Sequence, residues 1–168
     1  MAKSILVGLG SNLPVPRIGP PRAIVEAALK ALPAHGIPIL ARSRWYESAP
    51  VPASDQPWFV NGVALVGGGL APAAMLEALH EVERAFGRER RVVNEARPLD
   101  LDLLAYGDQV NPGPAPPILP HPRLAQRAFV LLPLAELLPD WRHPATGESV
   151  ARLIEALPPD QQARPLAG

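Results

Sequence analysis

The chain has 168 residues, with sixteen basic and sixteen acidic side chains and hence no formal net charge. That length fits one domain able to bury a core without staples, and neutrality argues against a general nucleic-acid binder or a membrane-surface protein. The absence of cysteine removes disulfides, thiolate metal sites and thiol nucleophiles together. The apolar run from Ile5 to Gly10 is too short for a signal peptide, and no stretch approaches the ~18 apolar residues of a membrane span. The expectation is a soluble cytoplasmic protein of one domain, residues 1–168, with 158–168 as a mobile tail.

Ser4 to Gly8 is short and apolar and reads as a strand, followed by a Gly- and Pro-rich loop from Gly10 to Pro20. Pro21 to Leu32 has apolar residues at 24, 25, 28, 29 and 32, which predicts an amphipathic helix with proline in its first turn. Pro38 to Tyr46 alternates and is expected to be a strand. Ser48 to Pro57 is loop, and Phe59 to Val66 is a strand that ends at three glycines. Pro72 to Phe86 is the clearest helix, stopped by Gly87. A basic loop from Arg88 to Arg97 leads into a strand at Leu99 to Tyr106. Arg123 to Leu138 reads as a helix interrupted at Pro133, and Ser149 to Leu157 as a last short helix. Strand, helix, strand, strand, helix, strand is the ferredoxin-like order, an α+β fold with an antiparallel sheet and helices mainly on one face. The other sheet face is expected to be free.

The strand "RPLDLDLL" at 97–104 carries the chemistry. Alternation puts Leu99, Leu101 and Leu103 on one face and Asp100 and Asp102 on the other, with Cα atoms of the aspartates ~7 Å apart. Aspartate is disfavoured in strands, and two like charges repel unless a cation sits between them. A hard divalent cation such as Mg²⁺, held by one or two carboxylates and by substrate phosphates, answers both objections. A D-x-D pair alone is common, and a solvated face explains it about as well. The preceding segment shifts the balance: Arg84, Arg88, Arg90, Arg91 and Arg97 fall within fourteen residues, and arginine is the planar partner of phosphate. Carboxylates beside an arginine-rich loop suit metal-assisted phosphoryl transfer. No G-x-x-x-x-G-K-[ST] is present, so a bound ATP would sit without a P-loop. Phe59 and Asn61 share a strand face and suit a flat heterocycle with donors and acceptors at its edge, although a core phenylalanine and a turn asparagine are the plainer reading of that pair alone.

Five motifs in order, "GLGSN" at 8–12, "ESAPV…DQPWFVN" at 47–61, "EVERAFGRERR" at 81–91, "RPLDLDLL" at 97–104 and "HPRLAQRAFVLLPLAEL" at 121–137, resemble the 6-hydroxymethyl-7,8-dihydropterin pyrophosphokinases of folate biosynthesis. The resemblance implies a ferredoxin-like fold, ATP as donor, two Mg²⁺ ions, and transfer of the β,γ-diphosphate to the pterin hydroxymethyl oxygen, leaving AMP. It implies that Asp100 and Asp102 hold the metals. Arg88 and Arg97 would contact the phosphates, with Arg90 closing over the site. Glu83, His121 and Arg127 would belong to the nucleotide side. Phe59 and Phe129 would sandwich the pterin, and Asn61, Ser48 and Val51 would complete its pocket. Loops Gly10–Pro16, Ala49–Trp58 and Arg88–Arg97 would close over the substrates. The chain departs from the family at Asn94-Glu95-Ala96, where a Trp-Gly-Pro is frequent, and at His80, where a glutamine is frequent. The implied partners are these two small molecules, with no nucleic acid and no membrane, and the chain acting as a monomer. Two rivals stand against this. A two-metal nuclease would want a basic stripe that the chain lacks, and a regulatory ferredoxin-like domain would not need the arginine loop.

Overall fold

A computed structural model describes residues 4–50, 53–87 and 98–166. Among the described residues, six strands form one antiparallel sheet: β1 (Ile5–Ser11), β2 (Ile39–Arg42), β3 (Tyr46–Ser48), β4 (Phe59–Val66), β5 (Asp100–Tyr106) and β6 (Ala163–Pro165). Their order is β5-β1-β4-β3-β6, with β2 also paired to β4. Four helices accompany them: α1 (Pro21–Ala31), α2 (Pro72–Ala85), α3 (Ala128–Leu137) and α4 (Val150–Glu155). The β1-α1-β2/β3-β4-α2-β5 succession is the ferredoxin-like arrangement expected from the sequence.

The two long helices begin as their sequences dictate. Pro21 and Pro72 stand in the first turns of α1 and α2, where a missing N–H costs nothing. Gly87 follows α2 with φ 89°, a conformation open to glycine at little cost. Both helices lay their apolar stripes on one sheet face. Ile24, Val25 and Ala28 of α1 and Met75, Leu79 and Val82 of α2 meet Ile5, Val7 and Leu9 of β1 and Leu99, Leu101 and Leu103 at β5.

The second face is not free. Val130, Leu131 and Leu134 of α3 and Val150 and Leu153 of α4 cover Leu6, Val63, Leu104 and Ala105. The expectation of a bare face fails because the polar residues of that face end at Asp102: Leu104, next on the same side by alternation, joins Leu6 and Val63 beneath α3 and α4. The pairing of β5 then shifts between Leu6 and Val7, and this bulge turns Ala105 onto the same face as Leu104. The second face is therefore divided: apolar under α3 and α4, polar toward the end that carries Asp100 and Asp102.

Three further differences have local causes. The strand expected over Pro38 to Tyr46 breaks into β2 and β3. Ser43 interrupts it, its Oγ accepting from Val63 N (3.0 Å), while the Trp45 ring lies across Gly62, where any Cβ would come within 2.5 Å of it. The helix expected over Arg123 to Leu138 breaks at Arg127, which is extended (φ −120°, ψ 114°), and α3 runs on through Pro133. Within the segment expected to be a mobile tail, a short strand forms. Ala163 to Pro165 pair with β3, and Leu166 N donates to Trp45 O at 2.8 Å.

Candidate active site

The strand registers assemble the polar end of the second face. Directly opposed residues share a face, so Asn61, Gly10 and Asp100 form one row across β4, β1 and β5. Val63, Gly8 and Asp102 form the next. The middle strand thus offers two glycines between the aspartates on one side and Asn61 on the other. The result is a trough floored by backbone.

Gly10 has no room for more. A Cβ there would lie 2.9 Å from Asn61 Nδ2, and Gly8 would meet the Leu104 side chain at 3.4 Å. Gly10→Ala is therefore expected to destabilise the protein by about 1–3 kcal/mol, the range for overpacking. Urea unfolding checks this, and an unchanged midpoint would mean that Asn61 swings aside at no cost.

Asn61 is 6 % exposed, and its Oδ1 accepts a hydrogen bond from Ser48 Oγ across the β3–β4 pair. With Oδ1 committed, the amide of Asn61 is held in one orientation beside Gly10, and the half-buried Phe59 lies two residues along the same strand face. Asn12, which received no role from the sequence, is almost fully buried and donates to Gln56 Oε1 and Pro57 O, both at 3.1 Å. It fastens the end of β1 to the loop before β4. Its only sequence signal is its place in "GLGSN".

Asp102 and Asp100 stand half-buried on β5. Between them, Leu101 N donates to Glu83 Oε2 at 2.8 Å. Glu83 is 1 % exposed on the last turn of α2. The contact with the β5 backbone is one that spacing alone did not suggest. It satisfies an edge-strand N–H at the point where both carboxylates are presented.

His121 enters from the far side of β5, with its backbone N donating to Leu104 O at 2.8 Å. Its Nδ1 accepts from Arg123 N at 3.1 Å, which leaves the ring proton on Nε2. Nε2 lies 3.8 Å from Asp102 Oδ1. Burial first, then the charge of Arg127, with a smaller push from Arg123, lowers the pKa to about 4 against the pull of Asp100. The ring is therefore neutral near pH 7, and its contact with Asp102 is not an ion pair. Phe129, on the first turn of α3, packs against the α3–α4 core, and the Arg127 guanidinium lies 5.2 Å from its ring centroid.

The residues are thus drawn from β1, β3, β4, α2, β5, the loop after β5 and the start of α3. Arg88, Arg90, Arg97 and Val51 lie outside the described residues. Among the described residues no three His, Asp or Glu side chains converge. Two adjacent carboxylates without a third such ligand among the described residues do not make a closed metal cage. They suit Mg²⁺, which completes its shell with water and phosphate oxygens.

A profile of the 7,8-dihydro-6-hydroxymethylpterin-pyrophosphokinase (HPPK) family matches residues 6–139, most of the chain. The chain belongs to the HPPK family. It is similar to the 2-amino-4-hydroxy-6-hydroxymethyldihydropteridine pyrophosphokinase of Pseudomonas aeruginosa, 41% identical over 161 residues and covering 94% of each chain. The Synechocystis enzyme of the same name is 39% identical over 150 residues, covering 89% of this chain and 74% of that one. Among solved structures, a Plasmodium falciparum HPPK-DHPS triple mutant superposes with a TM-score of 0.69 at 14% identity. That match takes in 92% of this chain and 44% of the longer one, and it speaks to the fold alone. The HPPK profile ends near α3, so α4 and β6 lie beyond the matched span. No helix among the described residues is long and apolar enough to cross a membrane.

Proposed function

We propose that the protein transfers diphosphate from ATP to the hydroxymethyl group of 6-hydroxymethyl-7,8-dihydropterin, within folate biosynthesis. Membership of the HPPK family supports this, and one structural observation carries the site assignment: Asp100 and Asp102 face a glycine-floored trough whose other wall is the oriented amide of Asn61. A pair of carboxylates lies on one side. A neutral hydrogen-bonding wall suited to a flat heterocycle lies on the other.

The hydroxymethyl oxygen forms a bond to the β-phosphorus, the bond from that phosphorus to the α,β-bridging oxygen breaks, and AMP leaves with that oxygen. The hydroxyl proton passes to solvent. Asp100 and Asp102 would hold Mg²⁺, in our reading two ions, which when bound neutralises phosphate charge and aligns the reacting oxygens. Arg88 and Arg97 would bind the phosphates, with Arg90 over them, since guanidinium matches phosphate in a bidentate way. Arg127 and the neutral His121 would line the nucleotide side, and Glu83 would act there by fixing the β5 backbone. Phe59 and Phe129 would stack on the two faces of the pterin, while Asn61, held by Ser48, reads its edge and Val51 closes the pocket. Catalysis here rests on positioning and charge, so no dedicated base is assigned.

The test separates nucleotide products after incubation with ATP, Mg²⁺ and the hydroxymethyl pterin. AMP formed in step with pterin diphosphate, and lost when the pterin is left out, is the expected result. ADP in place of AMP would overturn diphosphoryl transfer.

A further inference from the structure

We propose that Gln161, in the C-terminal segment, is a positioning residue that sets substrate affinity by holding Arg127 and Phe129 in place. The inference rests on the pyrophosphokinase reading of those two residues. The helical run from 124 to 137 breaks at Arg127, whose backbone is extended. Nothing in Arg127 itself demands this, since arginine is a good helix former. The two peptide groups that flank it are both taken by one side chain. Gln161 Nε2 donates to Gln126 O at 2.6 Å, and Gln161 Oε1 accepts from Ala128 N at 2.8 Å. A primary amide carries a donor and an acceptor side by side, as a neighbouring strand does, and here it bonds Arg127 from both sides.

The clamp has two effects. It supplies a partner for one of the orphan N–H groups at the start of α3. It also fixes the peptide planes on either side of Arg127, which set where the guanidinium lies over the Phe129 ring. Gln161, Gln126, Arg123 and Arg127 line one cleft of about 460 Å³. The residues C-terminal to Gln161 anchor it in turn. Gln162 O accepts from Ala49 N at 3.0 Å, Ala163 pairs with Ser48, and the Arg164 guanidinium lies 5.4 Å from the Trp58 ring centroid. The same five residues that end in β6 therefore touch the Ser48 side of the trough and the Arg127–Phe129 side.

The test measures dissociation constants for Mg-ATP and for the pterin, with steady-state kinetics, on the full chain and on Gln161→Ala. Both constants and both KM values are expected to rise about tenfold, equivalent to about 1.4 kcal/mol, while kcat changes by less than about twofold. Gln161→Glu keeps an acceptor for Ala128 N–H but sets an oxygen against the Gln126 carbonyl, so it is expected to bind no better than Gln161→Ala. It also serves should the alanine variant not fold. Wild-type affinity in either folded variant overturns the proposal, even if the melting temperature falls, because a merely structural clamp would behave that way. A wild-type protein that binds neither substrate overturns the pyrophosphokinase reading, and this inference with it.

Discussion

Asp102→Ala and Asp100→Ala are each expected to lower AMP formation by about 10³-fold or more while leaving the protein folded. The size follows from the several kcal/mol of charge stabilisation that a bound metal contributes, at about 1.36 kcal/mol per decade. The folding half follows from the surroundings. Both side chains are half-buried at the open end of a face, and the apolar support of β5 comes from Leu101, Leu103 and Leu104 instead. Neither change touches that apolar support, so the cooperative melting transition should persist. Turnover by the pterin-dependent AMP assay and the melting curve together decide the matter. Wild-type-like turnover in either variant would sink the metal role. A collapsed melting curve would mean that the aspartates are structural.

Glu83→Ala, by contrast, is expected to lower stability. It removes a buried acceptor, leaves the Leu101 N–H without its partner, and opens a cavity between α2 and β5. A buried polar group without its partner costs about 1–3 kcal/mol, and the lost packing adds to that, so a fall of about 3 kcal/mol in unfolding free energy is expected. Glu83→Gln retains an acceptor oxygen and should recover most of it. Denaturant unfolding of the pair checks the claim. If the alanine variant were as stable as the parent, the Glu83–Leu101 contact would hold nothing in place. Activity should fall in the alanine variant as well, since Leu101 lies between the two aspartates.

What the sequence made legible, and what it did not, divides along the reach of the interactions. The facing of β5 was readable because alternation is a property of one strand: Leu99, Leu101 and Leu103 are buried and the aspartates are not. The helices α1 and α2 were readable to within a residue, since periodic apolar positions and terminal proline and glycine are local signals. The split of β2 from β3 depends on Ser43 bonding to Val63 twenty residues away, and the break at Arg127 depends on Gln161 thirty-four residues away. Neither partner can be found by looking near the break. The covering of the second sheet face by α3 and α4 was missed for a related reason. A single bulge in β5 turns Ala105 to the same face as Leu104, and a bulge leaves no mark in an apolar run. In the site, the aspartate pair and the Phe59–Asn61 spacing were evident from composition and period. The trough between them was not, because it is made of two glycines whose neighbours come from other strands.

The treatment of the sheet's two borders has a consequence for the protein in a crowded solution. A naked outer strand is a template for another chain. On the β5 border, Glu83 takes the Leu101 N–H and the backbone of His121 takes the Leu104 carbonyl. On the opposite border, β3 is covered by three residues of β6, one of them Pro165, which has no N–H to offer a newcomer. Groups that hold β5 in shape and the segment that forms β6 thus also discourage open-ended strand addition, and with it the growth of aggregates.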